Sequence, residues 1–318
     1  MAQDTPEDLI HDLFAGVLWG GHPLARTVLG QPESVSNMTR QGLHEFFQQG
    51  YVPSRVVVAA AGNVDHQALE AMLAPLQSWS PPTQLAPFPA GRRPPPTLLP
   101  RLLVCPKRLE QAHLVLGGYG LPVNSDFRYA LALLNIVLGG NMSSRLFQEI
   151  REKRGLAYSI YSFADGNIDS GCFGVYAGVG HESVNEVRDL IGAVIADIHA
   201  GGITEEELRG AQEFARAGIV LAEESMESRM IRLAKNELTL GRYVSVQEVE
   251  TALDGVRRQD LMDLVTALFS TPLSGVILGP VRADDCGPDA TLLPDDEWRD
   301  DSSPAGQDEE DEETDHGA

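Results

Sequence analysis

Cysteine is scarce in this chain. Its 318 residues hold three, Cys105, Cys172 and Cys286, far apart and with no C-x-x-C pair. That excludes a disulfide framework and a cysteine zinc site, and it fits a reducing compartment. Long apolar runs are missing too, so no segment has the length of a bilayer span. The stretch Met1–Leu9 is acidic and lacks the basic region of a signal peptide, so a cytoplasmic location is expected. Positive charge is short: 24 Lys and Arg face 46 Asp and Glu, a formal net charge of −22. Half of the excess sits between Asp295 and Asp315, which holds twelve acids and one Arg. Almost free of apolar side chains, that stretch cannot offset its own ordering entropy and is expected to be a disordered, solvating tail. The body is only mildly acidic, which argues against nucleic acid as a partner.

What is present is enough apolar content, 43% of residues, for two ordinary cores. Leu9, Ile10, Leu13, Phe14 and Val17 fall on one stripe of a helix over 6–19, with Thr5 as cap and Pro6 at its first position. A loop follows to Met38, then a helix over 39–47. Residues 55–61, β-branched and apolar, predict a buried strand ending at Gly62-Asn63, followed by a helix over 66–76. Residues 80–101 are rich in proline and read as a semi-rigid linker. Beyond it come strands near 102–105 and 112–118, and a helix from Asn124 or Ser125 to Leu138, broken by Gly139-Gly140-Asn141. A short helix ends at Gly155, and 156–164 with 172–179 forms a hairpin. Capping boxes at Ser183…Glu186, Thr204…Glu207 and Ser245…Glu248 open three helices, with another over 226–240. A helix over 258–269 and a strand over 274–278 close the pattern. Strands interleaved with long helices predict an α+β sandwich with helices on one face of the sheet.

The two ends of this pattern repeat. Helix, strand and Gly62-Asn63-Val64 have a counterpart in helix, strand and Gly279-Pro280-Val281, and Trp19-Gly20 has one in Leu240-Gly241. In the second copy 136 residues separate Cys105 from Gly241, whereas 19 precede Gly20 in the first. By subtraction the first copy lacks roughly 117 residues, and with them most of its strands. The expected organisation is 1–79 as the back part of a first unit, the 80–101 linker, a second unit over 102–282 and an acidic tail over 283–318.

Asp4-Thr5-Pro6-Glu7-Asp8, His22-Pro23-Leu24, Leu29-Gly30 and Arg55 to Asn63 form one set of motifs. Glu110-Gln111-Ala112-His113, Gly139 to Phe147 and above all Arg151-Glu152-Lys153-Arg154-Gly155-Leu156-Ala157-Tyr158-Ser159 form another. In this order, over about residues 1–280, they resemble the insulinase/pitrilysin zinc peptidases, especially small bacterial members and the mitochondrial processing peptidases. The resemblance implies duplicated α/β sandwich units of the metallopeptidase LuxS-like fold, here with the first unit incomplete, closing around a peptide substrate.

Family members hold zinc through an H-x-x-E-H helix and a downstream Glu, an arrangement that leaves one position open for an activated water. The chain contains no such motif: His44-Glu45 is followed by Gln48, and His181-Glu182 by Asn185, where the second His would stand. Zinc is therefore expected in the complete family member and not in this chain alone. Arg151 and Tyr158 match the family's Arg/Tyr pair, which implies that they hold the substrate carbonyl and its oxyanion. The same resemblance points to Gly139, Gly140, Asn141 and His113 as substrate contacts, although His113, alternating within a strand, also fits a packing role. Three functions follow: a zinc-dependent endopeptidase in truncated form, a non-catalytic subunit lending its Arg/Tyr pair to a zinc-bearing partner, or a peptide-binding module. The expected partners are a peptide and either a second copy or a zinc-bearing subunit, with no membrane.

Overall fold

A computed structural model of the chain describes residues 5–77, 95–97 and 100–293. Most of the proline-rich linker and the acidic stretch from residue 294 lie outside the described residues. The first part is helical: α1 (Pro6–Trp19), the short α2 (Pro32–Ser36), α3 (Arg40–Gly50) and α4 (His66–Gln77). The second part is built on one six-stranded sheet of β1 (Leu102–Pro106), β2 (Ala112–Tyr119), β3 (Ala157–Gly166), β4 (Gly171–Val179), β5 (Ser274–Gly279) and β6 (Ala290–Leu292). Its spatial order is β3-β4-β2-β5-β1-β6. The hairpin β3–β4 is antiparallel, β5 runs parallel to β1 and antiparallel to β2, and β6 runs parallel to β1. The remaining helices are α5 (Arg128–Asn135), α6 (Val184–Gly201), α7 (Glu205–Glu224), α8 (Met226–Leu240), α9 (Val246–Gly255) and α10 (Arg258–Leu268).

The sheet is covered on both faces, which explains why β2 and β5 are buried along almost their whole length instead of alternating. On one face Leu114, Val175, Ala177 and Ile277 pack with Leu134, Leu138, Ile191 and Leu261 of the helical layer. On the other, Leu103, Val115, Tyr176 and Val276 lie with Ile10, Phe14 and Leu18 of α1. Each of those three α1 side chains, at most 3% exposed, contributes about 1.5–3 kcal/mol by burial. The Tyr119 hydroxyl fastens the same helix, lying 2.9 Å from the Leu18 carbonyl and 2.7 Å from that of Pro96.

Three sequence expectations need correction. The run 55–61 forms no strand: Arg55 ends a 3₁₀ turn, 56–61 pair with no strand among the described residues, and Val56, Val57 and Val58 are exposed. Its residues have strand propensity, but no strand among the described residues lies beside it to pair with. Ser183 makes no capping bond, because a short 3₁₀ turn over His181–Ser183 precedes α6; Thr204 and Ser245 do cap their helices. Finally, order continues beyond residue 282: β6 adds to the sheet, and Cys286 and Leu293 are buried. A strand of three residues, Ala290–Leu292, carries too little periodicity to read from the sequence.

Candidate peptide-binding site

The site predicted from the sequence centres on the connection between α5 and β3. The last turn of α5 widens into a π-type turn over Ile136–Gly140, a local departure often found beside functional residues. It lies against β3, where a Cβ on Gly139 would stand 2.4 Å from the Ser162 amide nitrogen. The Ser162 hydroxyl donates to the Asn135 carbonyl at 3.0 Å. Asn141 then starts the next helix: its side-chain oxygen accepts from the Ser143 amide at 2.8 Å, and its carbonyl accepts from the Ser144 hydroxyl at 2.6 Å. Arg145 ties this loop to α7 through Glu207, at 2.6 and 2.9 Å, and reaches Asp197 at 2.9 Å. The Arg145–Glu207 pair is bidentate, the geometry that holds best.

A second π-type segment, Phe147–Glu152, carries Arg151. Glu149 engages both Lys153, at 2.9 Å, and Arg154, while Arg151 has no carboxylate partner among the described residues. Its guanidinium carbon sits 5.0 Å from the centre of the Phe147 ring. Gly155, at φ +66°, turns the chain sharply into β3, a conformation that costs most residues about 1–2 kcal/mol. Here the pairing of β3 with β4 slips: Ala157 faces Val179 and Ser159 faces Gly178, so Tyr158 is the extra residue of a β-bulge. A bulge re-aims a side chain, and Tyr158 is 65% exposed between the buried Ala157 and the half-buried Ser159. Arg151 and Tyr158 therefore stand on the two sides of one glycine turn, both open to solvent.

The other candidate residues divide between the two faces of the sheet. Gly139 is buried in the helical layer, and Gly140 and Asn141 are at its surface. His113 is on the face under α1, 5% exposed, with its Nδ1 2.8 Å from the Tyr176 hydroxyl. A peptide reaches it only if α1 moves. Burial holds the imidazole below its usual pKa, with Glu7 opposing.

That second face shows residues that motif reading missed. His11 on α1 lies 3.1 Å from the Tyr161 hydroxyl, and Tyr161 stacks on Tyr176 at 4.8 Å. Beside them Asp8, His11, Asp12, Val28 and Leu29 line an open hollow of about 330 Å³. Burial lowers the pKa of His11 against the opposing pull of Asp165, Asp8 and Asp12; burial and then Asp8 raise that of Asp12. The sequence signal was Asp8 and Asp12 one helical turn apart, flanking His11. Among the described residues no three His, Cys, Asp or Glu side chains form a group able to hold a metal ion. His11 and His113 are each engaged by a tyrosine hydroxyl instead. The described residues do not fit a zinc ion.

Comparison with known proteins completes the picture. The family profile described as "Peptidase M16 inactive domain" matches residues 37–214. An uncharacterized zinc protease of Mycobacterium leprae is 38% identical over 289 residues, covering 88% of this chain and 63% of the relative. Another, YmxG of Bacillus subtilis, is 34% identical over 280 residues, covering 88% and 67%. The chain thus spans about two thirds of the length of these relatives. Among solved structures, the peptidase M16 inactive domain from Pseudomonas fluorescens shares the fold with a TM-score of 0.79 at 23% identity, covering 88% of this chain and 67% of that one. By motif order, fold and these matches, the chain belongs to the M16 (insulinase-type) peptidase family.

Proposed function

We propose that this chain is the peptide-holding part of a zinc-dependent endopeptidase, with the zinc ligands supplied from outside residues 1–318. The observation that carries this reading is the bulge that lifts Tyr158 out of the sheet beside the unpaired Arg151. In the proposed mechanism the Arg151 guanidinium donates to a backbone carbonyl of the bound peptide and fixes its register. The Tyr158 hydroxyl donates to the scissile carbonyl oxygen and strengthens that bond as negative charge develops there. Zinc, where bound, supplies an activated water; this chain's residues supply orientation and charge stabilisation. The hollow at Asp8 and Asp12 suits a Lys or Arg side chain of the peptide. The description of the matched family as an inactive domain supports the neighbouring reading, in which a separate subunit bears the zinc. The roles of Arg151 and Tyr158 are the same in both.

Binding tests the first half of this proposal without any metal. A fluorescein-labelled, unstructured peptide with one Arg is titrated with the full chain and followed by anisotropy. Arg151→Ala is expected to weaken binding about 10-fold or more, the loss of a charge-assisted hydrogen bond. Tyr243→Phe, exposed between α8 and α9 and outside the candidate site, is expected to bind like the wild type. Equal affinities for the wild type and Arg151→Ala contradict the assignment.

A further inference from the structure

We infer that Phe147 is a positioning residue, whose ring steadies the Arg151 guanidinium and leaves its N–H groups free for a peptide carbonyl. This rests on the proposed function, in which Arg151 holds the bound peptide. The stretch 145–154 is crowded with positive charge: Arg145, Arg151, Lys153 and Arg154 fall within ten residues. Three of these cations are held by carboxylates. Arg145 is paired with Glu207 and Asp197, and Lys153 and Arg154 share Glu149. Arg154 also donates to the Glu149 carbonyl at 2.9 Å. Glu149 is thus taken up by the two cations that follow it, and it draws them away from Arg151.

Arg151 is the exception. It is exposed, and among the described residues it meets a ring where the other three meet carboxylates: its guanidinium carbon lies 5.0 Å from the centre of Phe147. The two residues are four apart in one helical segment, the spacing at which side chains on a helix face each other. The kind of partner matters. A carboxylate accepts two N–H bonds of the guanidinium fork, and a peptide carbonyl would have to displace it. An aromatic face attracts the cation through its quadrupole and occupies none of the in-plane N–H groups. Fixing a long Arg side chain on binding costs rotamer entropy, and a side chain already held against a ring has less to lose.

The packing of the segment points the same way. Leu146 and Ile150 are fully buried and join the helical layer to the sheet. Phe147, between them in sequence, is only half-buried and belongs to neither buried apolar cluster. Core packing therefore gives no reason for an aromatic ring at this position, and the neighbouring guanidinium does.

Two measurements on the full chain test this. The first needs no peptide. The ring current of Phe147 moves the Arg151 side-chain protons upfield, with their resonances assigned by comparison with Arg151→Ala. They are expected to return to ordinary values in Phe147→Leu and to stay shifted in Phe147→Tyr. Ordinary values in the wild type, or a shift that survives Phe147→Leu, overturn the inference. The second is a double-mutant cycle with the labelled peptide of the binding test, the thermal midpoint being recorded for each variant. Phe147→Leu is expected to weaken binding about 2- to 5-fold, the size of an exposed cation–π contact, and Phe147→Tyr to restore it. In an Arg151→Ala background Phe147→Leu is expected to change nothing further, because the ring acts through the Arg. An equal loss in both backgrounds overturns the inference, since the ring would then touch the peptide itself or merely support the fold. Weaker binding in Arg151→Ala with wild-type affinity in Phe147→Leu also overturns it and leaves the proposed function standing. Wild-type affinity in Arg151→Ala sinks both.

Discussion

A Cβ at Gly139 would press on the backbone of β3, with the Ser162 amide nitrogen 2.4 Å away. Gly139→Ala is therefore expected to cost about 1–3 kcal/mol, the range for overpacking. Gly16→Ala, in the last turn of α1 with nothing within 4 Å of the new methyl, is expected to stabilise by about 0.4–1 kcal/mol. Urea midpoints of the two variants check both signs. The motif around Gly139 is readable in the sequence, but its packing duty is not, because the contact joins residues 139 and 162 through the fold. His113 shows the same limit. Alternation placed it on a strand, and only the covering by α1 buries it and lowers its pKa. The sign of the consequence is fixed. An unfolded His takes up a proton as pH falls below about 6.5, whereas folded His113 takes it up at lower pH, and His11 shifts the same way. The unfolded state thus binds more protons in that window, and stability falls as pH drops through it. Urea denaturation at pH 7.5 and 5.5 is expected to show a loss for the wild type and a smaller loss for His113→Asn.

Among the elements, α1 departs most from its place in the sequence. It belongs to the part before the linker, yet its apolar stripe closes the face of the sheet that follows it. The stripe itself is plain in Leu9, Ile10, Phe14 and Val17; its partner is not, since periodicity says which face is buried and not against what. Limited proteolysis is expected to cut first between residues 28 and 77, where α2 and α3 have no buried residue, and to leave 6–19 intact and bound to the sheet. Early cuts within 6–19 would contradict this packing. The hairpin β3–β4 was readable because alternation and an Asp- and Gly-rich turn agree. The bulge at its start was not, since one slipped residue leaves no mark on a ten-residue pattern. The run 55–61 shows the opposite limit: its propensity is real, but no strand among the described residues pairs with it.

Seen whole, the described residues form a sheet covered on both faces, with an exposed Arg and Tyr at one turn, an open hollow beside α1 lined in part by Asp8 and Asp12, and no metal-holding group. Purified by itself, the chain is expected to carry less than one equivalent of zinc and to leave a quenched fluorescent peptide uncut. Metal analysis and that assay check it, and one tightly held zinc per chain would contradict it. The central claim is that Tyr158 stabilises the oxyanion in an assembly whose zinc comes from elsewhere. The most direct measurement is kcat for the wild type and Tyr158→Phe in that assembly, with zinc content and thermal midpoint recorded for both. The account predicts a kcat lowered roughly 100- to 1,000-fold, the usual loss for one oxyanion donor, with zinc content and midpoint unchanged because the side chain is exposed. Equal kcat values would contradict it and return Tyr158 to the role of a surface strand residue.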